Sequence, residues 1–238
     1  MQTLLAGIFC LTAIFVTQAS ATIVSGAVTG GYSSTNGGAF INLTVPFTEP
    51  NPDNTVGSNT FDGLNLYGFD ESRNVHILSD LNVDVLAGNV GGSSGGGAIS
   101  AGILVASHYI FFDPLNFVSQ RGAVTFDSNV LGILSSRGSL SASDSLLNTG
   151  VTYLNSSLRG LEGGDSVSIF SLKMMQVDWS ASSPSDYVRV LTAYSREAVP
   201  IPVPAAVWLF GSSFVGLVGF SRRTTVPKMV VERFDVSS

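Results

Sequence analysis

Two charge-free, mostly apolar runs, residues 4–16 and 205–220, bracket this chain and constrain it more than anything between them. As a helix the first spans about 20 Å, short of the roughly 30 Å hydrocarbon core of a bilayer. Thr17 and Gln18 follow it, then the small residues Ala19, Ser20 and Ala21. An apolar stretch of this length before a small-residue site reads as a secretory leader, residues 1–21, cleaved after Ala21. No Lys or Arg precedes the run, so the amino terminus supplies its only positive charge. Cys10, the one cysteine, lies inside the leader. The mature chain therefore has no thiol for a disulfide, a nucleophile or a zinc site.

The second run is about 24 Å long as a helix, at the short limit for crossing a membrane. Pro204 suits a first helical turn, where its missing N–H would be unpaired in any case. Trp208 stands near one end, a position an indole favours at the membrane interface. Arg222 and Arg223 follow at once and set that end on the cytoplasmic side. The expected topology is a body exported through the secretion translocon, a membrane helix at 205–220 and a short cytoplasmic tail at 224–238.

Val199, Pro200, Pro202, Pro204, Ala205, Ala206, Trp208 and Leu209, with Arg222 and Arg223 behind them, carry a further signal. This segment, 199–223, resembles a PEP-CTERM protein-sorting signal. The resemblance implies a Pro motif, one membrane helix and a basic cluster, read by an exosortase-type membrane protease. It also implies a Gram-negative host that makes exopolysaccharide, with the protein held at the inner membrane before release to the cell surface or matrix. Ile201 replaces the central Glu of the family motif, and residues 224–238 extend past the usual end.

Between the ends, residues 22–198 carry 15 acidic against 7 basic side chains. That balance excludes a nucleic-acid binder, which needs a basic face, and suits water, cations or neutral sugars. Period-two alternation recurs at 23–28, 40–45, 64–67, 75–78, 81–85, 103–112, 123–126, 167–172 and 187–191, punctuated by Gly, Asn, Asp and Pro. Short β-branched and aromatic runs of this kind predict an all-β ectodomain over 22–198, an antiparallel β-sandwich of jelly-roll-like type. One short helix is expected at 143–148 with Ser143 as its N-cap. Residues 105–114, 122–127 and 186–192 are similar to an uncharacterised β-rich ectodomain recurring among exported bacterial proteins with this anchor. That similarity implies no chemistry.

No catalytic set stands out. Gly91, Ser93 and Gly95 satisfy G-x-S-x-G, but Gly95, Gly96 and Gly97 stand where the elbow needs a helix, so a loop is expected. His108 and Asp113 are an odd number apart on a strand, which puts them on opposite faces and argues against a base and its orienter. His76 stands alone on its strand. Asp80, Asn82 and Asp84 place hard oxygens on one strand edge, and the reading preferred is a face in water. The calcium alternative uses a loop with Asp53, Asp62 or Asp70. Glu162 and Asp165 read as a turn.

Tyr67, Phe69, Tyr109, Tyr153, Trp179 and Tyr187 are read mainly as core rings of the sandwich, and Trp179, flanked by Asp178 and Ser180, is the best candidate among them for exposure and so the ligand-contact candidate. The reading that follows is a non-catalytic structural or adhesive surface protein, with no metal or cofactor assigned and exopolysaccharide as a partner. The alternatives are a carbohydrate- or calcium-binding module and a secreted hydrolase of matrix polysaccharide.

Overall fold

The computed structural model describes residues 22–48, 52–57, 60–88, 95–148, 150–182 and 185–194. The leader with Ala19 and Ala21, the segment 199–223 with its helix at 205–220, the tail and most of the G-x-S-x-G loop lie outside the described residues. The chain forms β1 (Ile23–Gly30), the one-turn helix α1 (Gly31–Thr35), β2 (Phe40–Leu43), β3 (Thr55–Val56) and β4 (Leu66–His76). Next come β5 (Leu81–Val83), β6 (Val85–Leu86), β7 (Gly97–Ile99), β8 (Leu104–Phe112), β9 (Val118–Phe126) and β10 (Val130–Leu134). Helix α2 (Arg137–Leu147) precedes β11 (Thr152–Tyr153), β12 (Ser166–Ser171), β13 (Met174–Ala181) and β14 (Asp186–Ala193). The described residues are predominantly β, as the alternation predicts.

Two sheets dominate. Four strands run in the order β1-β9-β13-β12, and six in the order β2-β4-β8-β14-β10-β6. Pairing is antiparallel except at β2 with β4 and at β3 with β11, which are parallel. The expectation of a purely antiparallel arrangement is corrected at those two pairs. In β13, Met175, Val177, Trp179 and Ala181 are buried and the residues between them half-buried, the pattern of a strand with one face on a core. Strands β8 and β14 are buried almost throughout, as strands covered on both faces must be.

The six-stranded sheet consequently borders two cores. One joins it to the four-stranded sheet and gathers Leu66, Ile110, Phe112, Phe126, Val177, Trp179, Val188 and Val190. The other lies on its far face and gathers Phe47, Phe69, Tyr109, Phe111, Leu140, Leu147 and Tyr187. This second core is rich in aromatic rings: Tyr67 stacks on Phe111 with centroids 5.1 Å apart, and Phe69 on Tyr109 at 5.6 Å. Such pairs add about 0.5–1.5 kcal/mol each beyond the area they bury.

The helix expectation at 143–148 is also corrected. Helix α2 starts six residues earlier, behind Ser136, whose Oγ accepts from Ser139 N at 3.3 Å. Ser143 sits inside the helix and its Oγ donates to the carbonyls of Ser139 and Leu140. Strand β4 replaces the two short strands expected at 64–67 and 75–78. It runs straight through Asp70, Glu71, Ser72 and Arg73, whose polarity hides it in the pattern.

Candidate functional site

Three polar features are built on the β4–β8–β14 region, and the first is a cleft. Its volume is 520 Å3, and it is lined by Thr22, Asn42 to Val45 and Asp70 to Arg73. The register of β4 against β8 slips between Asp70 and Ser72 and again between Ser72 and Val75, and Asn74 takes a φ of 57°. Bulges of this kind re-aim side chains, here toward the cleft.

Asp70 organises its floor. One carboxylate oxygen accepts from His108 Nδ1 at 2.7 Å and Ile23 N at 3.1 Å. The other accepts from Thr22 Oγ1 and from Arg73 at 3.1 Å. Burial works against ionisation of this carboxyl, but the bonds from His108, Thr22 and Ile23 outweigh it and hold its pKa below the usual carboxylate value. On the other side of the imidazole, Nε2 lies 2.9 Å from Thr192 Oγ1.

Carboxylate, imidazole and hydroxyl thus stand in the order of a hydrolase triad. Access decides what they do. His108 and Thr192 are both 0% exposed, and the Phe126 ring packs on the imidazole at 4.8 Å. A nucleophile needs a reacting carbonyl within about 3–3.5 Å, and Thr192 Oγ1 is sealed from any. The relay ties β4, β8 and β14 together at one level. Asp113, the other residue weighed with His108, is not near it in the bonding network. It accepts from Thr60 N at 2.7 Å, Phe61 N at 3.0 Å and Ser185 Oγ.

On the opposite face of the same strands lies a buried ionic cluster. Arg189 donates through Nε to Glu71 at 2.6 Å and through Nη2 to Asp144 at 2.8 Å. Ser107 Oγ and Tyr153 Oη also donate to Glu71, at 2.7 and 2.5 Å. Arg159 pairs with Asp144 and lies 4.6 Å over the Tyr153 ring. The cluster fastens α2 and the segment after it to the sheet.

The third feature is an open groove of 310 Å3 lined by Tyr32, Asp62, Gly63, Leu64, Pro114, Leu115, Asn116 and Val118. Its wall is rigidly held. Asp113 grips Thr60 and Phe61 through its carboxylate and Gly63 N through its carbonyl at 3.2 Å. Leu64 O accepts from Gln120 Nε2 at 2.9 Å. Tyr32 N donates to Ser119 Oγ at 3.1 Å. Gly31 ahead of it has a φ of 76°, and an added Cβ would fall 2.6 Å from Ser119 O, so only glycine brings α1 this close to β9. Tyr32 is nonetheless 51% exposed, and Phe117, between two lining residues, is 73% exposed.

Trp179 is 1% exposed, as the preferred core reading of these rings expects, and its candidacy as a ligand contact is corrected. It stacks on Phe112 with centroids 6.2 Å apart and donates from Nε1 to Gln120 Oε1 at 3.1 Å. Through Gln120 it props the groove wall from beneath. Tyr67, Phe69, Tyr109 and Tyr187 are likewise buried.

The calcium residues go separate ways. Asp70 is engaged as above, Asp62 lines the groove with a φ of 42°, and Asp53 stands in the turn before β3. The Asp80–Asp84 edge is not a face in water throughout. Asp84 caps α2 by accepting from Ser135 N, Ser136 N and Ser139 Oγ at 2.6, 2.8 and 2.5 Å, and Asp80 accepts from Ala101 N. Among the described residues, no group of three or more His, Cys, Asp or Glu side chains is placed to hold a metal. Glu162 and Asp165 form the expected turn, with Glu162 N donating to Asp165 Oδ2 at 3.1 Å. His76 is exposed at the end of β4.

Asp186 was not singled out in the sequence. It is 3% exposed, and its Oδ2 has no hydrogen-bond partner. Burial, with the charges of Asp165 and Glu162, pushes its pKa up to about 8. The native state thus keeps a proton that the unfolded chain releases near pH 4. This contribution to stability is complete below about pH 4 and lost as pH rises toward 8. Melting temperatures taken at pH 5 and pH 8 are expected to fall at the higher pH, and Asp186→Asn is expected to flatten that difference. No protein-family model, curated protein or solved structure matches the chain.

Proposed function

We propose that this chain is an exported, C-terminally anchored surface protein whose β-domain adheres to neutral polysaccharide. The leader-like residues 1–21 and the PEP-CTERM-like segment 199–223 support export, anchoring and processing by an exosortase. We read the two large sheets as a sandwich of jelly-roll-like type, which carries the groove on loops at its rim. The observation that carries the adhesive reading is the groove itself, where exposed Tyr32 lines the wall with Asp62 and Asn116, and exposed Phe117 stands in the chain between the lining residues Asn116 and Val118.

Aromatic faces take the C–H face of a sugar ring, and a carboxylate and an amide accept and donate to its hydroxyls. The excess of acidic over basic residues repels anionic polymers and leaves neutral ones. Affinity electrophoresis through gels of neutral polysaccharide tests the reading. Tyr32→Ala and Phe117→Ala are expected to abolish retardation. Their melting temperatures should stay near the parent's, because exposed side chains cost within about 0.5 kcal/mol. Retardation unchanged in both variants overturns the adhesive reading.

A further inference from the structure

We propose that removal of the leader creates an ion pair, between the new α-ammonium of Thr22 and the carboxylate of Asp127, at the wall of the 520 Å3 cleft. The proposal rests on the reading of residues 1–21 as a leader cleaved after Ala21. Thr22 N lies 3.0 Å from Asp127 Oδ1, and Asp127 N donates back to Thr22 O at 3.1 Å. The Thr22 hydroxyl donates to Asp70 Oδ2, and Ile23 N to Asp70 Oδ1 at 3.1 Å. Two carboxylates from β4 and from the end of β9 therefore converge on the residue that would begin the mature chain.

With the leader attached, Thr22 N is an amide with one proton and no charge. Hydrolysis breaks the bond from Ala21 C to Thr22 N. Water gives its hydroxyl to the Ala21 carbonyl and its hydrogen to the nitrogen. The proton that leaves the new Ala21 carboxylic acid is balanced by the one the amine takes up at neutral pH. The resulting ammonium keeps the donor already aimed at Asp127 and adds a full charge, and charge-assisted bonds are roughly twice as strong as neutral ones.

The other ionisable groups here are Lys173, whose Nζ donates to the backbone carbonyl of Asp127 at 2.6 Å, and Arg73 and His108, both engaged with Asp70. Among the described residues, none of these three bonds to the Asp127 carboxylate. Maturation thereby adds a tie between the start of β1 and the turn after β9 that the precursor cannot make.

The test uses the chain from Thr22 to Ser238 in detergent, released from a fusion with Thr22 as its first residue, and the same chain extended by Ala19, Ser20 and Ala21. At pH 7, a succinimidyl ester is expected to acylate the α-amine of the Thr22 chain about ten-fold more slowly than that of its Asp127→Asn variant, as a carboxylate partner shifts the amine by about one unit or more. Asp127→Asn is expected to lower the melting temperature more in the Thr22 chain than in the extended one. Chemical α-N-acetylation of the Thr22 chain should reproduce that loss without any substitution.

Equal acylation rates together with equal melting shifts overturn the ion pair. N-terminal sequencing of the protein secreted under its own leader is read separately. Thr22 in the first cycle supports the proposal, and any other first residue overturns the leader reading, whatever the acylation rates give.

Discussion

Replacing Arg189 with alanine is expected to remove about 3–5 kcal/mol of folding stability. That is a large share of the roughly 5–15 kcal/mol that holds a typical domain together. The guanidinium is wholly buried, and it holds Glu71 by two N–H groups, Asp144 by one, and the Leu140 carbonyl and Ser143 Oγ by Nη1 at 3.0 and 2.5 Å. Burial alone would pull its pKa down, but Glu71, with Tyr153 and Tyr109, raises it and keeps the group charged. Alanine leaves Glu71 as a buried carboxylate with its cation gone, and the Leu140 carbonyl loses a donor at the same moment. Helix α2 should loosen first, since Leu140 O, Ser143 Oγ and Asp144 all bond to this one side chain.

The double variant Arg189→Met with Glu71→Leu removes both ions and should recover part of the loss, because replacing a buried pair by apolar residues is often near neutral. Urea unfolding followed by near-UV circular dichroism measures both. A single-variant loss below about 1 kcal/mol would mean that the cluster behaves as an exposed ion pair does.

Trp179→Ala is expected to cost about 3–5 kcal/mol, the usual penalty for deleting a large buried aromatic. The indole fills space between the two large sheets, and its N–H is satisfied by Gln120, whose amide in turn holds Leu64 O. The loss should therefore appear as destabilisation with some loosening of the groove wall. At temperatures where the variant remains folded, its retardation by neutral polysaccharide should stay close to that of the parent chain. Trp179→Phe keeps most of the volume but strands Gln120 Oε1, so it should fall between the two. If Trp179→Ala melted like the parent and lost only glycan binding, the ring would be a ligand contact after all.

Trp179 shows what the sequence could and could not reveal. Polar neighbours Asp178 and Ser180 make it the ring to weigh for exposure, yet alternation on a strand gives every inward residue polar neighbours. The same alternation made β1, β12 and most of β14 legible, and the long apolar run made β8 legible. Strand β4 was not, because Asp70, Glu71, Ser72 and Arg73 break the pattern, and their partners His108 and Arg189 lie far along the chain. Local pattern carries no record of such pairings.

The groove was hidden for a related reason. Tyr32 lies in a Gly/Ser-rich stretch that reads as a turn, and Phe117 follows the Pro114 break. Only the tertiary anchoring of Asp113 and Gly31 shows that Tyr32 lines a formed groove, with Phe117 next in the chain to two of its lining residues.

Export and processing are the central claim of the proposed function, and one measurement addresses both. The protein is recovered from cells that carry an exosortase and from cells that lack it, and its intact mass is determined in each. With the protease present, the chain is expected to begin at Thr22 and to end upstream of Trp208; without it, Trp208 should be retained. A mature chain that still carries Trp208 in both cells contradicts the claim.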